Sequence, residues 1–403
     1  FSAALGSIIT SMLVTGLAFT GQVSTSTCAG LLAILLLSGI NRSSKLWVQE
    51  FKLSFVSSIF LPLSPLKTSA QIVLAILALL ALSLALAPAF ATDALFYHLA
   101  VPKAFLEAGG VINLPNNTCS FYPQQMEMLY LFALALGSDA LAQLTGLGIV
   151  FLLLLALWHY TRQKGSRAYA GLVPLVFIST PTFFSVASSA YVDLQATAYV
   201  FLAFYSWENG CTRKQPGWYY LMALFAGAAV ATKLTMVIVL PLALLGLAIH
   251  GRSHKNTRQV AGQCMVLILG CMMLLLPWLA KNYYFTGNPF APFFMPFFGG
   301  EDGINWDIAR SQLKFQYYSS FGMGHGILDF LLLPINLTFF SEPHSLKFDG
   351  QIGILYFLLL PALFALNRNS LPKVTVFFAL LVFWFTQAQE IRMLTPAFAF
   401  LSI

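Results

Sequence analysis

The chain has 403 residues, 58% of them apolar and 9% charged, with a mean hydropathy of +0.78. A water-soluble domain carries about a quarter charged residues, so this composition excludes one and points to a chain whose surface meets lipid. The net charge of +7 is spread in small groups rather than along a stripe, which argues against nucleic acid as a partner, and the five cysteines (28, 119, 211, 264 and 271) are too scattered to predict a disulfide framework or a metal site. The chain opens at Phe1 and stops at Ile403, as a piece of a longer product would.

Unbroken apolar runs approach the ~20 residues that a helix needs to cross a bilayer. They lack the alternation of a barrel strand. In chain order, spans are predicted at roughly 2–20, 24–40, 70–91, 139–161, 169–188 and 194–208. Others follow at roughly 217–231, 234–250, 260–280, 351–366, 373–387 and from 391 onward. The expected fold is therefore an all-α polytopic membrane protein of about twelve transmembrane helices.

The connections 41–69, 162–168, 208–216, 251–259 and 367–373 hold fourteen of the 21 Lys and Arg residues, which makes that side cytoplasmic by the positive-inside bias. Twelve of the 14 acidic residues fall outside or at the outer ends of spans. Acids do little to set orientation, so this skew predicts a catalytic or binding face on the non-cytoplasmic side. Two long external loops, 92–138 and 281–350, carry interfacial helices in this reading. The second loop is flanked by two cytoplasmic loops, so 327–340 should re-enter or lie in the interface, and the mixed aromatic and polar run 303–320 should form an interfacial helix.

Ionisable residues at span ends are functional candidates by default. Asp93 follows an apolar span and shares a helical face with Tyr97 at i,i+4; its carboxylate suits a general base. Tyr97, His98 and Lys103 of the same run are candidate substrate contacts, as are Tyr122 and Glu127 near the end of the loop. Asp193 occupies a short external turn, where it also suits the N-cap of the next helix. Lys233 interrupts an otherwise apolar Ala223–Leu245, either snorkelling or binding an anion such as phosphate. Lys281 and Arg392 sit at external helix ends against the positive-inside bias.

These segments, in this order, resemble the glycosyltransferase C superfamily, whose polytopic members use lipid-phosphate-linked sugars. The nearest groups are the protein O-mannosyltransferases and the lipid A aminoarabinose transferases. Asp93–Lys103 (DALFYHLAVPK) resembles the first-loop catalytic segment, Phe121–Met128 the proline-containing segment that closes that loop, and Tyr191-Val192-Asp193 the second acidic position. Gly227–Thr235 resembles the glycine-to-lysine turn, Pro277-Trp278 with Asn282 and Gly287-Asn288-Pro289 the opening of the long loop, and Glu390–Pro396 an Arg-Tyr-Leu-x-Pro pattern. Three departures stand out. Phe121-Tyr122-Pro123 replaces the acidic Lys-Pro-Pro run of aminoarabinose transferases, Met393 replaces the Tyr, and Asp93 is single rather than one of an acidic pair.

The resemblance covers residues 70–403 and leaves 1–69 as an accessory pair of spans with a cytoplasmic loop. It implies an inverting, metal-independent and cofactor-free transfer from a polyprenyl-phosphate-linked sugar donor to a glycan, lipid or protein acceptor. The reaction would take place on the outer side of a bacterial inner membrane. Asp93 and Asp193 would be catalytic, with Lys233 and Arg392 on the donor phosphate. The rival reading is a transporter or flippase for a lipid-linked sugar. It predicts ionisable residues near the midplane and duplicated halves, neither of which is visible in the sequence.

Overall fold

The computed structural model describes residues 1–39, 65–164, 169–254, 257–300, 303–366 and 370–403. Most of the loop expected at 41–69 lies outside these residues, as do Arg167, Lys255 and Arg368 of the other basic loops. The described residues contain helices and no strand. Five helices are long and apolar enough to cross a membrane: Ser2–Phe19, Thr68–Ala85, Asp139–Lys164, Leu234–Gly251 and Thr257–Thr286. Shorter apolar helices include Thr25–Ser38, Gln125–Leu136, Gly217–Thr232 and Leu371–Phe385. Large apolar side chains such as Ile72, Leu79, Leu269 and Leu276 face outward on the long helices, as a lipid-facing surface requires.

Three expected elements take a different form. The span expected at 169–188 is two short helices, Leu172–Ile178 and Pro181–Ala187. Proline disfavours helical backbone at the residue before it, and Thr180 is extended (φ −63°, ψ 121°). The span expected at 351–366 is a short helix, Leu355–Leu359, that tightens into a 3₁₀ turn, Leu360–Ala365, at Pro361. The first long loop is less of a loop than expected, because it contains Gln125–Leu136, a mostly buried helix packed on Ser2–Phe19 and Asp139–Lys164.

The second long loop contains short helices. Ile327–Leu331 and Leu333–Phe339 are separate helices too short to cross a bilayer. Ile308–Ser319 buries no side chain and is capped by Asp307, whose carboxylate accepts the Arg310 N–H at 2.7 Å.

Asp193–Arg213 is the central helix, buried over most of its length and packed on Gly217–Thr232, Asp139–Lys164 and Thr395–Leu401. Small residues bring its neighbour Gly217–Thr232 close to Thr257–Thr286. A Cβ at Gly227 would lie 2.9 Å from Cys271 Cα, and one at Gly270 would lie 2.8 Å from Ala223 Cβ. Such contacts drive helix association in lipid, where apolar side chains gain little by leaving the bilayer. The N-terminal helix is packed into the same body: Ser11 donates to the Gln125 carbonyl, and the Ser7 and Tyr199 hydroxyls meet at 2.8 Å.

Candidate active site

Four chain segments meet at the end of the central helix where it begins. A π-helical turn, Ala94–His98, follows Asp93. Helix Gly217–Thr232 ends at Lys233, whose backbone is extended (φ −148°, ψ 117°). The 3₁₀ turn Ile391–Leu394 precedes Thr395–Leu401, and Thr395 is tied to the central helix by a 2.8 Å hydroxyl contact with Thr197.

Three ion pairs occupy the meeting point. The Arg392 guanidinium donates through Nη1 to Asp93 Oδ2 and through Nε to Glu390 Oε2 at 2.7 Å. Lys233 Nζ donates to Asp193 Oδ1. Asp193 is 2% exposed and its Oδ2 has no hydrogen-bond partner among the described residues. It is the first residue of the helix rather than the cap expected from sequence, because its side chain turns to Lys233.

The surroundings set the charge states. Burial pushes the Asp93 carboxyl up, but the adjacent Arg392 overcomes it and holds the group below its ordinary range, with help from His98 and Lys233. Glu390 goes the other way: burial raises its carboxyl, and the pull of Arg392 only partly offsets this. Burial and the Asp93 charge push the Tyr97 phenol well above its ordinary value. It therefore stays protonated and points its hydroxyl at Asp93 Oδ2 from 3.5 Å.

Behind the ion pairs lies a buried support. His98 Nδ1 and Glu127 Oε1 are 2.7 Å apart, both residues almost fully buried. The His98 ring lies against Tyr97, with centroids 3.9 Å apart. Tyr191 places its ring under the Arg392 guanidinium at 5.3 Å, and its carbonyl accepts the Tyr130 hydroxyl at 2.5 Å. Tyr130 reaches that carbonyl by passing Gly146, where a Cβ would come within 2.8 Å of the phenol oxygen.

The second long loop supplies a roof. Lys314 donates to the Tyr122 hydroxyl at 3.0 Å and sits 5.4 to 5.8 Å from the rings of Tyr122, Trp306 and Tyr318. Tyr122 in turn stacks on Phe293, with centroids 5.8 Å apart.

The structure thus brings together Asp93, Tyr97, His98, Glu127, Asp193, Lys233 and Arg392, with Tyr122 above them. Two expected contacts stand apart. Lys103 pairs with Glu107 at 3.9 Å, both about two-thirds exposed. Lys281 is buried and donates to the Ser120 carbonyl, with Phe121 and Trp278 rings nearby. Beside it, Asn282 donates to the Phe121 carbonyl at 2.8 Å, so Lys281 and Asn282 together clamp the first loop. Glu390 and Tyr191, which the sequence places only within motif runs, belong to the site, as does Lys314, which it does not mark at all. Glu390 was legible in the Glu-x-Arg spacing; Lys314 had no local signal.

A family model described as Domain of unknown function (DUF8201) matches residues 1–399. The chain belongs to this family. Among solved structures it is similar to that of ArnT from Cupriavidus metallidurans, a crystal structure bound to undecaprenyl phosphate. The sequence identity is 16% and the TM-score 0.55, over 83% of this chain and 59% of that one. The chain therefore spans about three-fifths of the length of that protein. The likeness is one of fold. No curated protein sequence matches the chain.

Proposed function

We propose that the chain is a membrane glycosyltransferase that moves a sugar from a polyprenyl-phosphate donor to an acceptor at the non-cytoplasmic face. The observation that carries this reading is the convergence of two carboxylates, Asp93 and Asp193, with two cations, Arg392 and Lys233, each pair drawn from distant segments. A shallow apolar crevice supports it. The crevice is lined by Thr235, Met236, Leu380, Trp384, Met393 and Pro396 among others. Its walls begin two residues after Lys233 and one after Arg392, so a lipid tail lying there would deliver its phosphate to both cations.

The chemistry follows from the pairs. Asp93 takes the proton of the acceptor hydroxyl or amine as that group attacks the anomeric carbon, so the configuration inverts. The C–O bond to phosphate breaks, and its electrons leave with the lipid phosphate, whose charge Arg392 and Lys233 stabilise. No proton need reach that leaving group. Asp193 releases Lys233 to the phosphate and turns its free oxygen to a sugar hydroxyl. In the donor-free state Arg392 holds Asp93 as a poor base; transfer of the guanidinium to the incoming phosphate frees it.

The deciding experiment incubates the purified, reconstituted chain with a panel of polyprenyl-phosphate sugars and acceptors. A glycosidic product is expected. Asp93→Asn should cut transfer by about 10²–10⁴-fold, the usual scale for general-base catalysis, and leave donor binding in place. Lys233→Ala should weaken donor binding by removing a charge-assisted contact. Donor movement across the bilayer without product would favour the flippase reading.

A further inference from the structure

The central helix has a second charged end. Asp193–Arg213 is 21 residues long, about 30 Å at the helical rise, which is one hydrocarbon thickness. Its far end, with that of helix Asp139–Lys164, borders a cavity of about 520 Å³ lined by His159, Arg162, Gln163, Lys164, Asn209, Thr212 and Arg213. Three of these seven are cations and none is a carboxylate. This cavity belongs to no part of the proposed transfer chemistry.

Ring contacts and the Lys164–Glu208 ion pair order its walls. Arg162 lies over the Trp158 ring at 5.3 Å, and Arg213 lies over the Trp218 ring at the same distance. The nearest acid, Glu208, stands beside the cavity; it accepts the Tyr160 hydroxyl at 3.1 Å and lies 3.8 Å from Lys164. A further cation, Lys373, covers the Tyr160 ring at 5.6 Å. The neutral part of the wall is a network: Tyr205 donates to Gln163 Oε1 at 2.7 Å and meets His159 Nδ1 at 3.1 Å. Helix C-termini favour nearby cations, and the two ends together account for roughly one positive charge. The cluster exceeds that.

We propose that this cavity binds a phosphate-bearing anion, the headgroup of an anionic membrane lipid. Trp158 and Trp218, the rings beside Arg162 and Arg213, are residues of the kind that sit at the headgroup zone of a bilayer, and basic pockets between spanning helices suit lipid phosphates. The side-chain amides of Asn209 and Gln163 offer N–H donors for a polyol or diester, while the Thr212 hydroxyl donates to the Glu208 carbonyl at 2.9 Å. A free phosphate offers the same chemistry without the acyl chains.

The test separates these sources. The full chain, delipidated in detergent, is examined by native mass spectrometry and thermal melting with phosphatidylglycerol, phosphatidylcholine or inorganic phosphate at matched concentration. Retention of phosphatidylglycerol and a raised melting temperature are expected, with no comparable effect of phosphatidylcholine. Arg162→Gln with Arg213→Gln should weaken phosphatidylglycerol binding about thirtyfold, while Arg162→Lys with Arg213→Lys should restore most of it and show that the fold tolerates change there. Equal binding by the Gln pair, or no preference for the anionic lipid, overturns the site. Stabilisation by inorganic phosphate alone overturns the lipid assignment.

Discussion

Asp93 and Arg392 are 299 positions apart in sequence and share one hydrogen bond. If the donor phosphate takes Arg392 away from Asp93, the carboxylate becomes more basic once donor is bound. The pH profile of kcat/KM reports the free enzyme and that of kcat the bound one. Because the cation depresses the Asp93 pKa in the free site, the acidic limb of kcat should lie at higher pH than the acidic limb of kcat/KM. Coincident limbs in the reconstituted protein would remove Arg392 as a mask on Asp93. The sequence made each of these residues conspicuous, since a charge at a span end is costly without a purpose. It could not pair them, because pairing depends on contacts across hundreds of residues. The same blindness explains Lys281, which stood out equally and serves a loop carbonyl instead.

At the scale of elements, the position of Lys233 depends on the path of helix Gly217–Thr232, which ends immediately before it. Its close passage by Thr257–Thr286 leaves no room at Gly270 and ample room at Gly262 of the same helix, where an added Cβ meets nothing within 4 Å. Gly270→Ala should therefore destabilise the chain by about 1–3 kcal/mol through overpacking and weaken donor binding with it. Gly262→Ala should be neutral or slightly stabilising, because alanine favours helix over glycine. Thermal melting of both variants in the same lipid checks this; equal stability would show that the crossing is not tight. Helices such as this one were legible from apolar runs of the right length. Proline at 181 and 361 was visible too, yet a hydropathy window averages over it and so drew continuous spans where the chain is broken.

For the whole molecule, the central helix separates two ends of opposite character. The Asp93 end carries the candidate site, and the Arg213 end gathers cations. The charge asymmetry read from the loops assigns the latter to the cytoplasm. In a cysteine-free background, cysteine at exposed Lys214 should resist an impermeant thiol reagent in intact cells, while cysteine at exposed Asn305 should react. Labelling at 214 from outside would reverse the orientation and separate the site from any periplasmic acceptor. Orientation is an expectation the sequence can offer without contacts, because it rests on composition summed over loops. The roof over the site was less so, since the Lys314–Tyr122 contact spans 192 positions.

The inner cluster of Asp93, Asp193, Glu390, Lys233 and Arg392 holds three carboxylates against two cations. An incoming phosphodiester adds another negative charge to a confined space. Glu390, whose carboxyl burial has already raised, is the group best placed to yield. Donor binding should then draw a proton from solvent, and affinity should fall as pH rises through the Glu390 titration. Calorimetry of donor-lipid binding in buffers of different ionisation enthalpy would read the uptake directly, and Glu390→Gln should abolish it. In that case the pH on the site's own side of the membrane, and not donor supply alone, would set how often the site is loaded.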